Sequence, residues 1–309
     1  MRSGFKETVF TPVLLIAVFL LVAAVNFIPE DALGMNDNPY LAVLVIELAT
    51  YGVPSLFYCR IRGREFTPRL RLRLFDPSQL LYLLYAAVFL ISGGVLIGIF
   101  MYSLVPESFA SASLTEYAAF AMNQRFFDGL YLVIVFAVFP AITEEFLFRS
   151  IVVGEYETKG AVIACVMSAA AFGMFHFSLA RFPVYFFSGI VLVCILYTTR
   201  SVLASMLVHA LNNAAVLLSE KYVLHIADKQ NVSLLLLTII LGIAALASGT
   251  LMCFEAHSIY KEYAEKNEPS EYANIEKKSR FSRIAETFFT PTFLLLVILF
   301  IVAAMAEMT

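Results

Sequence analysis

Charge is scarce in this sequence. Only 15% of its 309 residues are Asp, Glu, Lys or Arg, where soluble domains carry about 25%. That shortage, with 61% hydrophobic residues and a mean hydropathy of +0.83, excludes a soluble globular protein. An excess of basic charge is missing too. The net charge is -3, so the electrostatic footprint of a nucleic-acid partner is absent. Cysteine is rare and shows no paired spacing. Cys59, Cys165, Cys194 and Cys253 lie in or beside apolar runs and read as small core residues rather than a disulfide or zinc set. The apolar runs do not alternate, which excludes a transmembrane barrel. The first run is too long for a cleaved leader, and Asn26 through Pro29 offers no small-x-small site.

What is present is a succession of long, continuous apolar runs. Spans near 9–28, 39–59, 79–105, 128–153, 160–179, 182–199, 201–219, 232–255 and 286–307 predict an all-α, polytopic transmembrane helical bundle of about nine spans, with a core of buried helices. Three regions follow. Residues 1–78 make an N-terminal transmembrane hairpin with a basic inner loop, 79–220 a central transmembrane core, and 221–309 the C-terminal transmembrane segments with a charged inner loop. With the N-terminus inside, the arginines from Arg60 to Arg73 and the Lys and Arg residues between Lys261 and Arg283 fall on inner segments. The outer loops then hold only Arg125, Arg181, Lys221 and Lys229. The positive-inside bias favours that orientation, and the short loops suit a bacterial plasma membrane. Glu7 through Pro12 and Glu286 through Pro291 are similar openings to the first and last spans. Helix-start chemistry explains them, with a duplicated flanking helix as the alternative.

An ionisable residue inside a span costs about 2.5–3.5 kcal/mol, so it needs a partner or a purpose. The fourth span carries Glu144, Glu145 and Arg149, the fifth His176, and the seventh His209, Asn212 and Asn213. Glu145 and Arg149 are four apart, in the favourable order for an ion pair on one helix face. Glu144 is turned about 100° from Glu145 and is left without a fixed cation. Pro140, one turn before it, is placed to kink the helix. Phe172 and His176 share a face of the fifth helix, and His209 and Asn213 a face of the seventh. Asn212 points elsewhere, as glue to another helix. Straight helices about the Gly154–Gly160 turn would leave Glu144 and His176 out of step by roughly 9 Å. His225 and His257 fall in loops. A carboxylate, two imidazoles and an amide can activate a water and hold an oxyanion. Two histidines and a carboxylate are also a zinc donor set.

Taken in order, Glu144-Glu145-Phe146-Leu147-Phe148-Arg149, Phe172-Gly173-Met174-Phe175-His176 and His209-Ala210-Leu211-Asn212-Asn213 resemble the EExxxR, FxxxH and HxxxN motifs of the CPBP (CAAX protease and bacteriocin-processing, Abi) family of intramembrane proteases. The resemblance spans about residues 80 to 220, so it covers the central region. Ser150 stands where a glycine commonly follows the family arginine. The resemblance implies a glutamate-dependent, CAAX prenyl endopeptidase-like hydrolase in which Glu144 and His176 activate water. It implies that His209 and Asn213 stabilise the oxyanion, while Glu145 and Arg149 lend support. Asn213 and the paired glutamates suit general-base catalysis without a cofactor, although the sequence alone leaves zinc open. The partners expected are the lipid bilayer and a membrane-associated or lipidated peptide or protein substrate. Two other readings use the same residues: a zinc metalloprotease, and a non-enzymatic immunity or transport protein with a proton relay. The clustering of the polar groups in three spans favours hydrolysis over a relay, which needs groups linked across the membrane.

Overall fold

A computed structural model describes residues 3–25, 27–29, 32, 38–106, 126–229, 231–268 and 275–306. Among the described residues the chain is helical, with no strand. Its principal helices are α1 (Ser3–Val25), α2 (Tyr40–Arg62), α3 (Leu80–Leu104), α4 (Gly129–Lys159), α5 (Ala161–Met174), α6 (Phe182–Thr199), α7 (Val202–Lys229), α8 (Val232–Glu265), α9 (Arg280–Phe288) and α10 (Pro291–Ala306). The protein is a multi-pass membrane bundle. The count of about nine spans is not confirmed. Six described helices (α2, α3, α4, α6, α7 and α8) are long and apolar enough to cross a membrane, and α9 with α10, bent by 51°, makes a seventh at most. The described apolar parts of the two remaining runs are short, Phe10–Val25 in α1 and Ala161–Met174 in α5. At 14 residues, α5 is roughly 21 Å long, against a hydrocarbon core of about 30 Å.

The two similar openings also fold differently. Pro291 begins α10 just after the bend, and Thr290 Oγ1 accepts the Phe293 N–H at 3.2 Å as a cap. Pro12 lies inside α1, and Thr11 instead meets the Tyr58 hydroxyl at 3.0 Å. The like sequences therefore do not mark like helix starts. The charged segment from Glu255 to Arg283 is largely helical where it is described, shared between α8 and α9.

Two apolar clusters build the core. Leu15, Val18 and Phe19 of α1 and Leu296 of α10 pack with Leu147, Phe148 and Ile151 of α4 and Met167 of α5. Tyr82 and Leu90 of α3 pack with Leu192 and Ile195 of α6, Val208 of α7 and Met252 of α8. Close approach sets the α5–α6 contact, since a Cβ on Gly189 would stand 2.6 Å from the Ala169 Cα.

Ion pairs fasten the end of α4. Glu155, fully buried, binds Arg62 and accepts the Tyr58 hydroxyl at 2.9 Å. Arg71 meets Glu157 at 2.6 Å, and buried Lys159 meets Glu276 at 2.7 Å and Glu286 at 3.1 Å. Glu286 also accepts from Lys278, a hydrogen bond that raises the Lys278 pKa above its ordinary value. At Gly160 (φ 119°) the chain turns into α5 through a backbone conformation that side-chain-bearing residues rarely adopt.

Candidate active site

α4 is not a uniform helix. Wide π-helical turns at Ile134–Val138 and Phe146–Val152 bracket the segment Phe139–Glu145. Pro140 supplies a cause for the first, because it removes the N–H that would bind the Phe136 carbonyl. Such turns recur at functional sites. Neighbouring side chains can satisfy backbone carbonyls in the membrane, and Asn213 Nδ2 donates to the nearby Ala137 carbonyl at 3.4 Å. An amide has two donor hydrogens, so one bond does not exhaust Asn213.

Glu144, His176, His209 and Asn213 line a single cavity of about 490 Å³. The structure thus gathers all four residues that the motifs single out for water activation and oxyanion binding. Asn212, expected to bond another helix, lines the cavity as well. His209 Nε2 stands 3.7 Å from Glu144 Oε2, outside direct hydrogen-bond reach.

Glu145 and Arg149 lie behind the cavity, both without solvent exposure, and Arg149 Nη1 is 2.9 Å from Glu145 Oε1. The same Glu145 oxygen lies 2.8 Å from His209 Nδ1. Glu145 therefore joins the supporting arginine to the cavity histidine. Phe172 organises the rest. Its ring stands edge-on to Phe148, His176 and His209, and the Arg149 guanidinium covers it at 4.4 Å.

His176 does not lie on the fifth helix. α5 ends at Met174, and the chain turns through Phe177 at φ 55°. The imidazole sits in that turn, stacked on Tyr185 of α6 at 3.4 Å between ring centroids. The helical spacing to Phe172 nonetheless brought the right pair together, at 5.0 Å. His225 and His257, expected in loops, lie on α7 and α8. Ser150, where the motif commonly has glycine, is buried and donates to the Leu70 carbonyl at 2.9 Å, so its hydroxyl is accommodated.

Sequence reasoning missed Glu47. It lies on α2, lines the same cavity, and accepts the Thr143 hydroxyl at 2.9 Å. The signal was available: a lone carboxylate inside the apolar run 39–59. Arg181 and Glu220, paired at 3.0 Å, also line the cavity, beside Tyr102.

For a metal, His209 offers only Nε2, since Nδ1 is held by Glu145, and Glu144 Oε2 lies 3.7 Å from it. Among the described residues no three His, Cys, Asp or Glu side chains are grouped to hold an ion.

The apolar helical bundle thus gathers acid, imidazole and amide groups around one cavity. Residues 126–215 match the family described as type II CAAX prenyl endopeptidase Rce1-like. That stretch runs through α4 to α7 and contains all three motifs, so the CPBP resemblance is borne out. The match supports a CAAX-type intramembrane protease activity in general. No curated protein and no solved structure matches the chain.

Proposed function

We propose that the protein is a glutamate-dependent intramembrane endopeptidase acting on a membrane-associated or lipidated peptide. The observation that carries this reading is the meeting of Glu144, His176, His209 and Asn213 in one cavity, within the stretch that matches the protease family. Glu144, with His176, takes a proton from water as its oxygen attacks the peptide carbonyl. The carbonyl oxygen becomes an oxyanion, stabilised by His209 Nε2 and the Asn213 amide. When the C–N bond breaks, the proton taken by Glu144 passes to the departing amine. Glu145 and Arg149 stay outside the proton transfers and hold His209.

The apolar walls support the substrate class. Val43 and Ile46 of α2, Ile91 and Val95 of α3, and Val216 and Leu217 of α7 line the cavity, a surface suited to apolar side chains or a lipid. With the N-terminus inside, as the arginines from Arg60 to Arg73 favour, the cavity end at Tyr102, Arg181 and Glu220 faces outward.

The test is purification in detergent and a panel of lipidated and plain peptides. Glu144→Gln keeps the side chain's shape and removes the base. Its rate should fall at least by the roughly 10²–10⁴-fold that general-base catalysis contributes. Near-normal turnover by a folded Glu144→Gln enzyme removes Glu144 from that role.

A further inference from the structure

Glu47 stands apart from the motif residues. It lies on α2, outside the stretch 126–215, with apolar neighbours Val45, Ile46, Leu48 and Ala49. Its described hydrogen-bond partner is Thr143, 96 positions along the chain. Thr143 has acceptors on its own helix, the Pro140 carbonyl at 3.1 Å and the Phe139 carbonyl at 3.4 Å. The contact to Glu47 Oε2, at 2.9 Å, is shorter than either.

The location gives that bond its weight. Thr143 directly precedes Glu144, and both belong to the seven-residue segment Phe139–Glu145 between two wide turns. On the facing helix another wide turn, Leu48–Gly52, begins one residue after Glu47. The two helices are therefore bonded just before the regular ladder of each is interrupted, Glu47 directly ahead of Leu48–Gly52 and Thr143 three residues ahead of Phe146–Val152. Glu47 and Glu144 both reach the cavity from these segments.

We propose that Glu47 is a positioning residue of the site: by accepting the Thr143 hydroxyl it fixes the turn of α4 that aims Glu144 into the cavity. The inference rests on the reading of Glu144 as the base. Glu47 acts through its hydrogen bond rather than its charge, so a glutamine, which keeps an acceptor oxygen, serves in its place.

The experiment compares Glu47→Leu, Glu47→Gln, Thr143→Val and the Glu47→Leu/Thr143→Val pair in the full chain, with a peptide that the wild type cleaves. Glu47→Leu and Thr143→Val should each lower kcat by about 10- to 100-fold, the effect of a misaimed reacting group, with KM unchanged. Glu47→Gln should stay close to wild type, and the pair should be no worse than either single variant, because both remove one bond. Melting in the same detergent separates misaiming from unfolding. If Glu47→Leu does not fold, the near-isosteric Thr143→Val carries the comparison from the other side of the bond. Wild-type kcat in a folded variant lacking the bond, Glu47→Gln as impaired as Glu47→Leu, or additive losses in the pair would each overturn the proposal. A wild type that cleaves no peptide, or a fully active Glu144→Gln, overturns the parent reading and this inference with it. Loss in Glu144→Gln without loss in Glu47→Leu overturns this inference alone.

Discussion

Glu145 holds His209 across the helix interface, with Oε1 2.8 Å from Nδ1. An ionised carboxylate can only accept, so Nδ1 carries a hydrogen; Nε2, presented towards Glu144 and the cavity, donates to an oxyanion only when it carries one as well, in the imidazolium form. Removing that acceptor frees the ring to turn or to change tautomer. Glu145→Ala should therefore lower kcat by about 10²–10³-fold, the range for losing an oxyanion donor. Nitrogen-15 spectra of labelled histidine, with His209→Asn used for assignment, should show hydrogen on Nδ1 of His209 in the wild type. The opposite tautomer, or an undiminished kcat in Glu145→Ala, contradicts this arrangement.

Arg149 tests the other side of the same carboxylate. Both members of the pair are fully buried. Arg149→Ala strands the Glu145 charge and should cost about 3–5 kcal/mol, the usual loss when one partner of a buried pair is removed. Replacing both with methionine leaves no unpaired charge and should recover much of the melting temperature. Activity should not return, because His209 still lacks its acceptor. A double variant no more stable than Arg149→Ala would refute the pairing as a source of stability.

Packing predicts a third contrast. At Gly189 an added Cβ would lie 2.6 Å from the Ala169 Cα and 2.8 Å from its Cβ, and helix backbone cannot yield as a flexible side chain can. Gly189→Ala should cost about 1–3 kcal/mol by pushing α5 from α6. At Gly242 of α8 nothing lies within 4 Å of the added atom. Gly242→Ala should be neutral or slightly stabilising, since alanine is the better helix former. Equal melting temperatures for the two variants would refute the close contact.

The sequence made the site legible to the extent that polar groups are costly in an apolar bundle. Glu144, Glu145, Arg149, His176, His209 and Asn213 stand out from their runs, and helical spacing paired Glu145 with Arg149 correctly. Spacing works within one helix and says nothing of which helices are neighbours. The bond from Glu145 to His209 was accordingly invisible, as was the meeting of α2 with α4. Glu47 was visible as a lone carboxylate, but its partner Thr143 is an ordinary residue for a helix. Hydropathy likewise could not show that α5 stops at Met174. The apolar run continues through Phe175 and Phe177 while the chain turns, and those rings are buried in the core.

Metal dependence is the remaining division between the two enzymatic readings. Among the described residues no three His, Cys, Asp or Glu side chains are grouped to hold an ion. A catalytic zinc takes three protein ligands and keeps a position open for water, which would require these groups to rearrange. Exhaustive dialysis against a strong chelator should therefore leave kcat unchanged, and metal analysis should find far less than one zinc per chain. Added zinc should inhibit, because His209 Nε2 and the Glu144 carboxylate, 3.7 Å apart, offer an incoming cation two donors at the place where water must be activated. Inhibition by excess zinc thus belongs to the metal-free mechanism. Loss of activity on chelation, with recovery at stoichiometric zinc, would reverse the assignment and make Glu144 and the histidines ligands.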